Sequence, residues 1–196
     1  MTTKQEVLEC SVSNFTKFGS KRFTMDELAS ELGISKKTIY KFFDSKEDLV
    51  IQCVELLIKN YKDEIESLQG NDNSDPITSI IFIYKKAFQH IAHFKPSFIF
   101  GLKKYYPKAN LIFDEFRTYI LDNIIFPLLE KAQTEGIIRP EVNLRLFCDL
   151  YFVRFEEIAL KNNTFFDKYT NEELLKHFVI YNLRGITSED YKLDFE

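Results

Sequence analysis

Apolar residues in this chain recur every third or fourth position and almost never alternate with polar ones, and only six glycines and five prolines interrupt them across 196 residues. That spacing gives a helix one face to bury and gives a strand none, so the expected fold is all-α. The breaks coincide with the punctuation: Gly19, Gly33-Ile34, Asp44-Ser45, the polar run QGNDNSDP at 69–76, Lys95-Pro96, Tyr106-Pro107, Gly136 to Pro140 and Asn162-Asn163. Between them the pattern predicts about nine helices. Three short ones are followed by a long one over 46–68, and then by helices at roughly 76–94, 96–105, 108–134, 143–163 and 171–185.

Charge and cysteine content exclude several classes of protein. With 45% hydrophobic residues the chain can build a sizeable core. A formal net charge of −4 does not suit a protein that coats nucleic acid or anionic membrane at large, so any contact with nucleic acid has to be local. Cys10, Cys53 and Cys148 are too far apart for a disulfide framework or a zinc motif, and a cytoplasmic location is the default expectation. The N-terminal MTTKQEVLEC lacks the basic start and apolar stretch of an export signal, and no apolar run approaches the ~18 residues of a membrane span.

The first fifty residues carry the clearest local chemistry. Leu8, Val12, Phe15 and Phe18 mark one face of a first helix closed by Gly19. Thr24, three residues before Glu27, forms a reciprocal cap for a second helix bearing Met25, Leu28, Ala29 and Leu32 inward. Gly33-Ile34 then makes a tight turn, and Ser35 caps a third helix with Ile39 and Phe43 inward. Two short helices joined by a glycine-containing turn make a helix-turn-helix. Wound at about 100° per residue from Ile39, the third helix places Lys37 and Lys41 at its outward pole, with Thr38 and Tyr40 on the flanks. Residues 35–46 hold four lysines against one aspartate, whereas residues 1–50 balance eight positive charges with eight negative. Lys36, Lys37 and Lys46 stand at helix starts, where the helix dipole disfavours a cation and a docked phosphate would favour it.

Residues 7–49 resemble the N-terminal domain of the TetR family of bacterial transcriptional repressors, through VLECSVSNFTKFGSKRFTMDELASELGISKKTIYKFFDSKEDL. The resemblance implies a DNA-binding domain over 1–46 and an effector-binding, dimerising domain over 47–196, with helix 47–68 bridging them. It implies that Thr38, Tyr40 and Lys46 contact phosphates while Lys36, Lys37 and Lys41 lie in or beside the major groove. The cap residues Thr24 and Ser35 complete the DNA-binding set. Lys37 and Phe42 depart from the residues frequent in the family, so no operator sequence carries over. The implied partners are a near-palindromic duplex DNA operator and a second copy of the chain. The neutral balance of residues 1–50 leaves a second reading, a module of the same fold that recognises no operator.

Phenylalanine is abundant in the remainder: fifteen of the twenty lie beyond residue 50. Tyr84, Phe88, Tyr105, Phe113, Phe116, Tyr119, Tyr151, Phe152 and Phe155 are the candidate lining of a largely apolar pocket for a small hydrophobic effector, although aromatics at helical spacing also serve as packed core. Leu144 to Phe155 is apolar nearly all round, and with Leu174, Leu175, Phe178 and Val179 it is the candidate dimer interface, through helices 143–163 and 171–185. The alternative is burial within one subunit. His90 and His93 are spaced for a metal but lack a third ligand, and no nucleophile–base pair or glycine-rich phosphate loop is evident. No cofactor and no catalysis are expected.

Overall fold

The computed structural model describes residues 2–69, 75–155, 157 and 164–192, and over these the chain is helical. Residues 70–74 of the polar run and the expected break at Asn162-Asn163 lie outside the described residues. So does most of 156–163, the end of the expected helix 143–163. The helices are α1 (Lys4–Phe18), α2 (Met25–Glu31), α3 (Lys36–Ile39), α4 (Lys46–Gln69), α5 (Pro76–Ile91) and α6 (Pro96–Tyr105). They continue with α7 (Pro107–Ile120), α8 (Phe126–Thr134), α9 (Leu144–Phe155), α10 (Thr164–Lys168), α11 (Asn171–Leu175) and α12 (Tyr181–Arg184). A π-helical turn at Leu121–Ile125 joins α7 to α8, and another at Lys176–Ile180 joins α11 to α12. The described residues therefore hold ten separate helices.

The starts are set by the residues that predict them. Thr24 accepts from the Glu27 amide while Glu27 accepts from the Thr24 amide at 2.6 Å. Asp75 accepts from Thr78 at 2.7 Å ahead of Pro76. Gly19 closes α1 at φ 88, a backbone angle that side chains with a Cβ seldom take.

Three expectations differ from the structure. The helix expected to run from Ser35 to Phe43 is α-helical only to Ile39, after which Lys41 N bonds Thr38 O at 3.2 Å and Phe42 N bonds Ile39 O at 2.9 Å. These tighter bonds let the wholly buried Phe43 turn into the core just before α4 begins. The segment after Asn163, read as irregular, forms α10. Leu174, Leu175, Phe178 and Val179 are all buried within their own subunit, so they are core rather than an exposed interface.

The chain forms two compact units, the first of Met1–Lys62 with His93–Phe116 and the second of Asp63–Ala92 with Arg117–Glu196. The first therefore takes in α6 and most of α7 as well as the helix-turn-helix. Its core is built on Phe15, Leu28, Ile39, Phe43, Leu49, Phe98 and Leu102, none more than 1% exposed. Each such side chain contributes roughly 1.5–3 kcal/mol of transfer free energy. In the second unit Ile77, Ile80, Ile81, Phe88, Leu129 and Val179 occupy the equivalent position. Among the described residues an isolated bridge, Ile138 to Thr187, fastens the turn after α8 to the one after α12.

Candidate functional site

All eight residues of the expected DNA-binding set lie in the first unit, at the start of α2, on α3 with its cap and continuation, and at the start of α4. Packing orients α3. Ile39 is completely buried, which turns Lys37, Tyr40 and Lys41 outward, and all three are exposed. Thr38 is half-buried, and its hydroxyl shares a hydrogen bond of 2.9 Å with that of Ser35, whose oxygen also accepts the Thr38 amide at 3.1 Å. Among the described residues the ammonium groups of Lys37 and Lys41 have neither an ion-pair nor a hydrogen-bond partner.

The other two lysines are engaged. Lys36 pairs with Asp26 of α2 at 2.9 Å. Lys46, half-buried, donates to the carbonyl of Phe23 at 2.6 Å and sits 5.8 Å from the Phe15 ring. Burial, and then the charge of Lys21, hold the Lys46 ammonium below its usual range, with Glu27 opposing. These contacts account for cations at two helix starts without any bound anion. They also bring Lys21 into the neighbourhood of the site, a residue that spacing within the helix-turn-helix does not single out. The signal for it is the pair Lys21-Arg22, separated from the Thr24 cap only by Phe23.

The nine aromatic residues divide. Tyr105, Phe113 and Phe116 belong to the first unit, where Tyr105 is exposed beneath Lys21 and Phe116 meets Tyr61 edge-on at 5.9 Å. Tyr84, Phe88, Tyr119, Tyr151, Phe152 and Phe155 belong to the second. There Tyr119 is exposed and Phe152 lies 4.7 Å from the Arg117 guanidinium. Tyr84, Phe88, Tyr151 and Phe155 form one cluster, and at its centre is Phe178, 4.8 Å from Tyr151, 5.9 Å from Phe88 and 6.4 Å from Tyr84. The sequence pattern assigns Phe178 to the dimer interface, because a helical face looks the same in sequence whether its partner is internal or another subunit.

The Tyr151 hydroxyl donates to the Phe178 carbonyl, which also accepts from Asn182 Nδ2 at 2.9 Å, so the π-helical turn keeps its displaced carbonyl satisfied. Burial pushes the phenols of Tyr84 and Tyr151 well above the usual range and raises the Cys148 thiol to about 11. Both phenols stay neutral, and that of Tyr151 is the one seen hydrogen-bonded. Beside them is a cavity of about 10 Å³, lined among others by Ile80, Tyr84, Leu129, Cys148, Tyr151 and Val179. That is the room of one water molecule.

Of the two spaced histidines, His90 bonds Glu64 at 3.0 Å, and among the described residues no group of three or more His, Cys, Asp or Glu is placed to hold a metal ion. No described helix is long and apolar enough to cross a membrane.

A buried-backed helix-turn-helix with an outward basic and hydroxyl face defines a DNA-binding transcriptional regulator. Residues 8–53 match the family model for bacterial regulatory proteins of the tetR family. Over 170 residues the chain is 27% identical to the HTH-type transcriptional regulator YvaF of Bacillus subtilis (strain 168), covering 86% of this chain and 87% of that one. Two solved structures share the fold. The fatty acid degradation regulator FadR from Bacillus halodurans superposes with a TM-score of 0.73 at 22% identity, over 93% of this chain and 95% of that one. The regulator FadR from Bacillus subtilis, solved in complex with stearoyl-CoA, gives 0.69 at 18% identity, over 94% and 100%. The chain thus carries the N-terminal DNA-binding domain of the tetR family and is similar over most of its length to an HTH-type transcriptional regulator.

Proposed function

We propose that the protein is a cytoplasmic homodimeric repressor released from a near-palindromic operator by a small hydrophobic effector. The observation that carries the DNA half of this reading is the pair Lys37 and Lys41, exposed beside Tyr40 and Thr38 and without partners among the described residues. Two such helices, one from each subunit, would enter successive major grooves about 34 Å apart. Ser35, Thr38 and Tyr40 would contact phosphates at the groove edge and Thr24 those at the start of α2. Lys36 and Lys46 would reach phosphates by exchanging their present partners.

For the dimer, α9 supports the reading best. It buries Leu144, Cys148 and Tyr151 inside the subunit and leaves Leu146, Leu150 and Val153 at 55%, 59% and 66% exposure on the opposite side. An apolar stripe of that kind at spacings of four and three fits a second helix. On the last helix the side facing away from the core carries Tyr181.

The effector would enter the second unit beside Tyr84 and Tyr151. A cavity of about 10 Å³ holds no acyl chain, since ligand sites run to roughly 300 Å³ and more. The effector therefore has to favour a state in which the cluster around Phe178 has opened, and binding tighter to that state is what would shift the equilibrium. A long-chain acyl group is the class we favour, because the interior is apolar apart from two neutral phenols and because a fold neighbour was solved with stearoyl-CoA. α4 contributes residues to both units and is the element through which we propose the effector acts.

The test is a mobility-shift assay on the DNA upstream of the protein's own gene, with and without long-chain acyl-CoA. Retention that acyl-CoA abolishes supports the whole reading. Retention indifferent to it removes the effector class, and no retention by any duplex supports the module without operator recognition, a reading favoured by the engagement of Lys36 and Lys46.

A further inference from the structure

Two stretches of the first unit pack against each other, and together they hold no carboxylate. Residues 10–25 carry Lys17, Lys21 and Arg22, and residues 95–113 carry Lys95, Lys103, Lys104 and Lys108, in a chain whose formal charge is −4. All seven are exposed. The packing that brings them together is close. Lys95 N donates to Thr16 O at 2.9 Å, and the Tyr106 hydroxyl reaches Ser20 O at 3.4 Å. A Cβ on Gly101 would stand 3.0 Å from Ser20 Oγ, and one on Gly19 3.1 Å from Ser97. Like charges carried by two stretches that pack together repel, and folding alone gives no reason to exclude every acidic residue from both.

The face is joined to the helix-turn-helix. Lys21 is near enough to Lys46 to lower its proton affinity. Lys21 Nζ lies 5.0 Å from the centre of the Tyr105 ring, Lys104 Nζ lies 5.4 Å from the same ring, and Lys104 is also 5.4 Å from Phe100, which is 58% exposed. A line of cations thus leads from the start of α4 across the α1–α2 turn to the last turn of α6, with exposed aromatic rings beneath the lysine stems. Two carboxylates adjoin its edge, Glu27 near Lys46 and Glu47 near Tyr106.

We infer that this ridge is a second phosphate-contact surface, which lies on the backbone of duplex DNA flanking the segment read by α3. The inference rests on the reading of α3 given above. Continuity with Lys46 selects DNA as the occupant, and so does the make-up of the face: lysines act as point charges on phosphate, and the ridge is poor in the bidentate side chains that read base edges. Its contribution is affinity without sequence preference. Because Gly19, Ser20 and Gly101 hold α6 tightly to the α1–α2 turn, the ridge moves with the helix-turn-helix.

The experiment uses the full-length protein and a duplex that the protein itself selects from a random pool, with flanks retained. Affinity is measured by fluorescence anisotropy across a salt series for wild type, K103A/K104A, K103R/K104R and, as comparator, K41A. Removing one cation from a phosphate lowers the slope of log affinity against log salt by about 0.9, equivalent to about eightfold in affinity at 0.1 M salt. The ridge predicts a slope lower by about 1.8 in K103A/K104A with the selected sequence preference unchanged, and a wild-type slope in K103R/K104R. Salt-sensitive binding by wild type and an identical slope in K103A/K104A would overturn the ridge and leave the reading of α3 standing. If wild type selects no duplex and binds none with salt sensitivity, the DNA reading and the ridge fall together.

Discussion

The Lys46 ammonium donates to the Phe23 carbonyl at 2.6 Å, so the first turn of α4 is pinned to the segment that launches α2. A charged donor on a backbone carbonyl contributes more than a neutral pair, and half-exposure reduces that to about 1 kcal/mol. Lys46→Met should therefore lower the melting temperature by about 2–4 °C as well as weaken DNA binding. Calorimetry checks this: a variant that loses DNA affinity with an unchanged melting temperature would show that the hydrogen bond to Phe23 contributes nothing in solution.

Tyr151→Phe should destabilise the second unit. The substitution keeps the ring in the cluster around Phe178 and removes one of the two side-chain donors to the Phe178 carbonyl, leaving Asn182 Nδ2 as the other. The expected loss is about 1 kcal/mol, read as a shift in the denaturation midpoint. DNA binding at low temperature should be retained.

Glu64 carries a pH dependence whose sign is determined by its partners. Its carboxylate meets Lys86 at 2.8 Å and His90 at 3.0 Å, and chiefly the hydrogen bond from Lys86 holds its pKa below the ordinary 4.5. A depressed carboxylate stabilises the fold fully above the unfolded value, and that contribution is lost as pH falls through the folded one. Wild type should lose stability on acidification below about pH 5, whereas Glu64→Gln should start less stable at pH 7 and show a shallower decline. The two unfolding curves, taken between about pH 7 and pH 3, would contradict this by running parallel.

Leu150→Glu places a charge in the exposed apolar stripe of α9, at a side chain that is 59% exposed. If that stripe is the dimer interface, sedimentation should show a monomer with unchanged helicity, and operator binding should fall steeply because two half-sites are no longer held together. A dimer that persists would place the interface elsewhere.

These outcomes also show which parts of the molecule could be read ahead of the structure. Caps are local, so Thr24 with Glu27, and Asp75 with Pro76, are legible from residues three apart or fewer, and α6 begins and ends at the expected positions because Pro96 and Pro107 bracket it. Pairings between elements are not legible in this way. Nothing in the spacing of Lys36 and Lys46 reveals Asp26 or the Phe23 carbonyl, and so the structure offers a second reason for cations at those helix starts. Phe178 sits on a helical face that would look the same turned inward or toward a partner. The π-helical turns at Leu121–Ile125 and Lys176–Ile180 shift the register of long helices without any proline or glycine at the shift, except for Pro127 just beyond the first.

The central claim is that α3 reads DNA through the lysines that packing leaves without partners. The most direct measurement is anisotropy with a selected palindromic duplex and a scrambled one, for wild type and for Lys37→Ala and Lys41→Ala. Wild type should prefer the palindrome by at least about a thousandfold. Each variant should lose roughly 1–3 kcal/mol of that discrimination while keeping its fold by circular dichroism. Equal affinity of wild type for the two duplexes, or discrimination undiminished in both variants, would contradict the account.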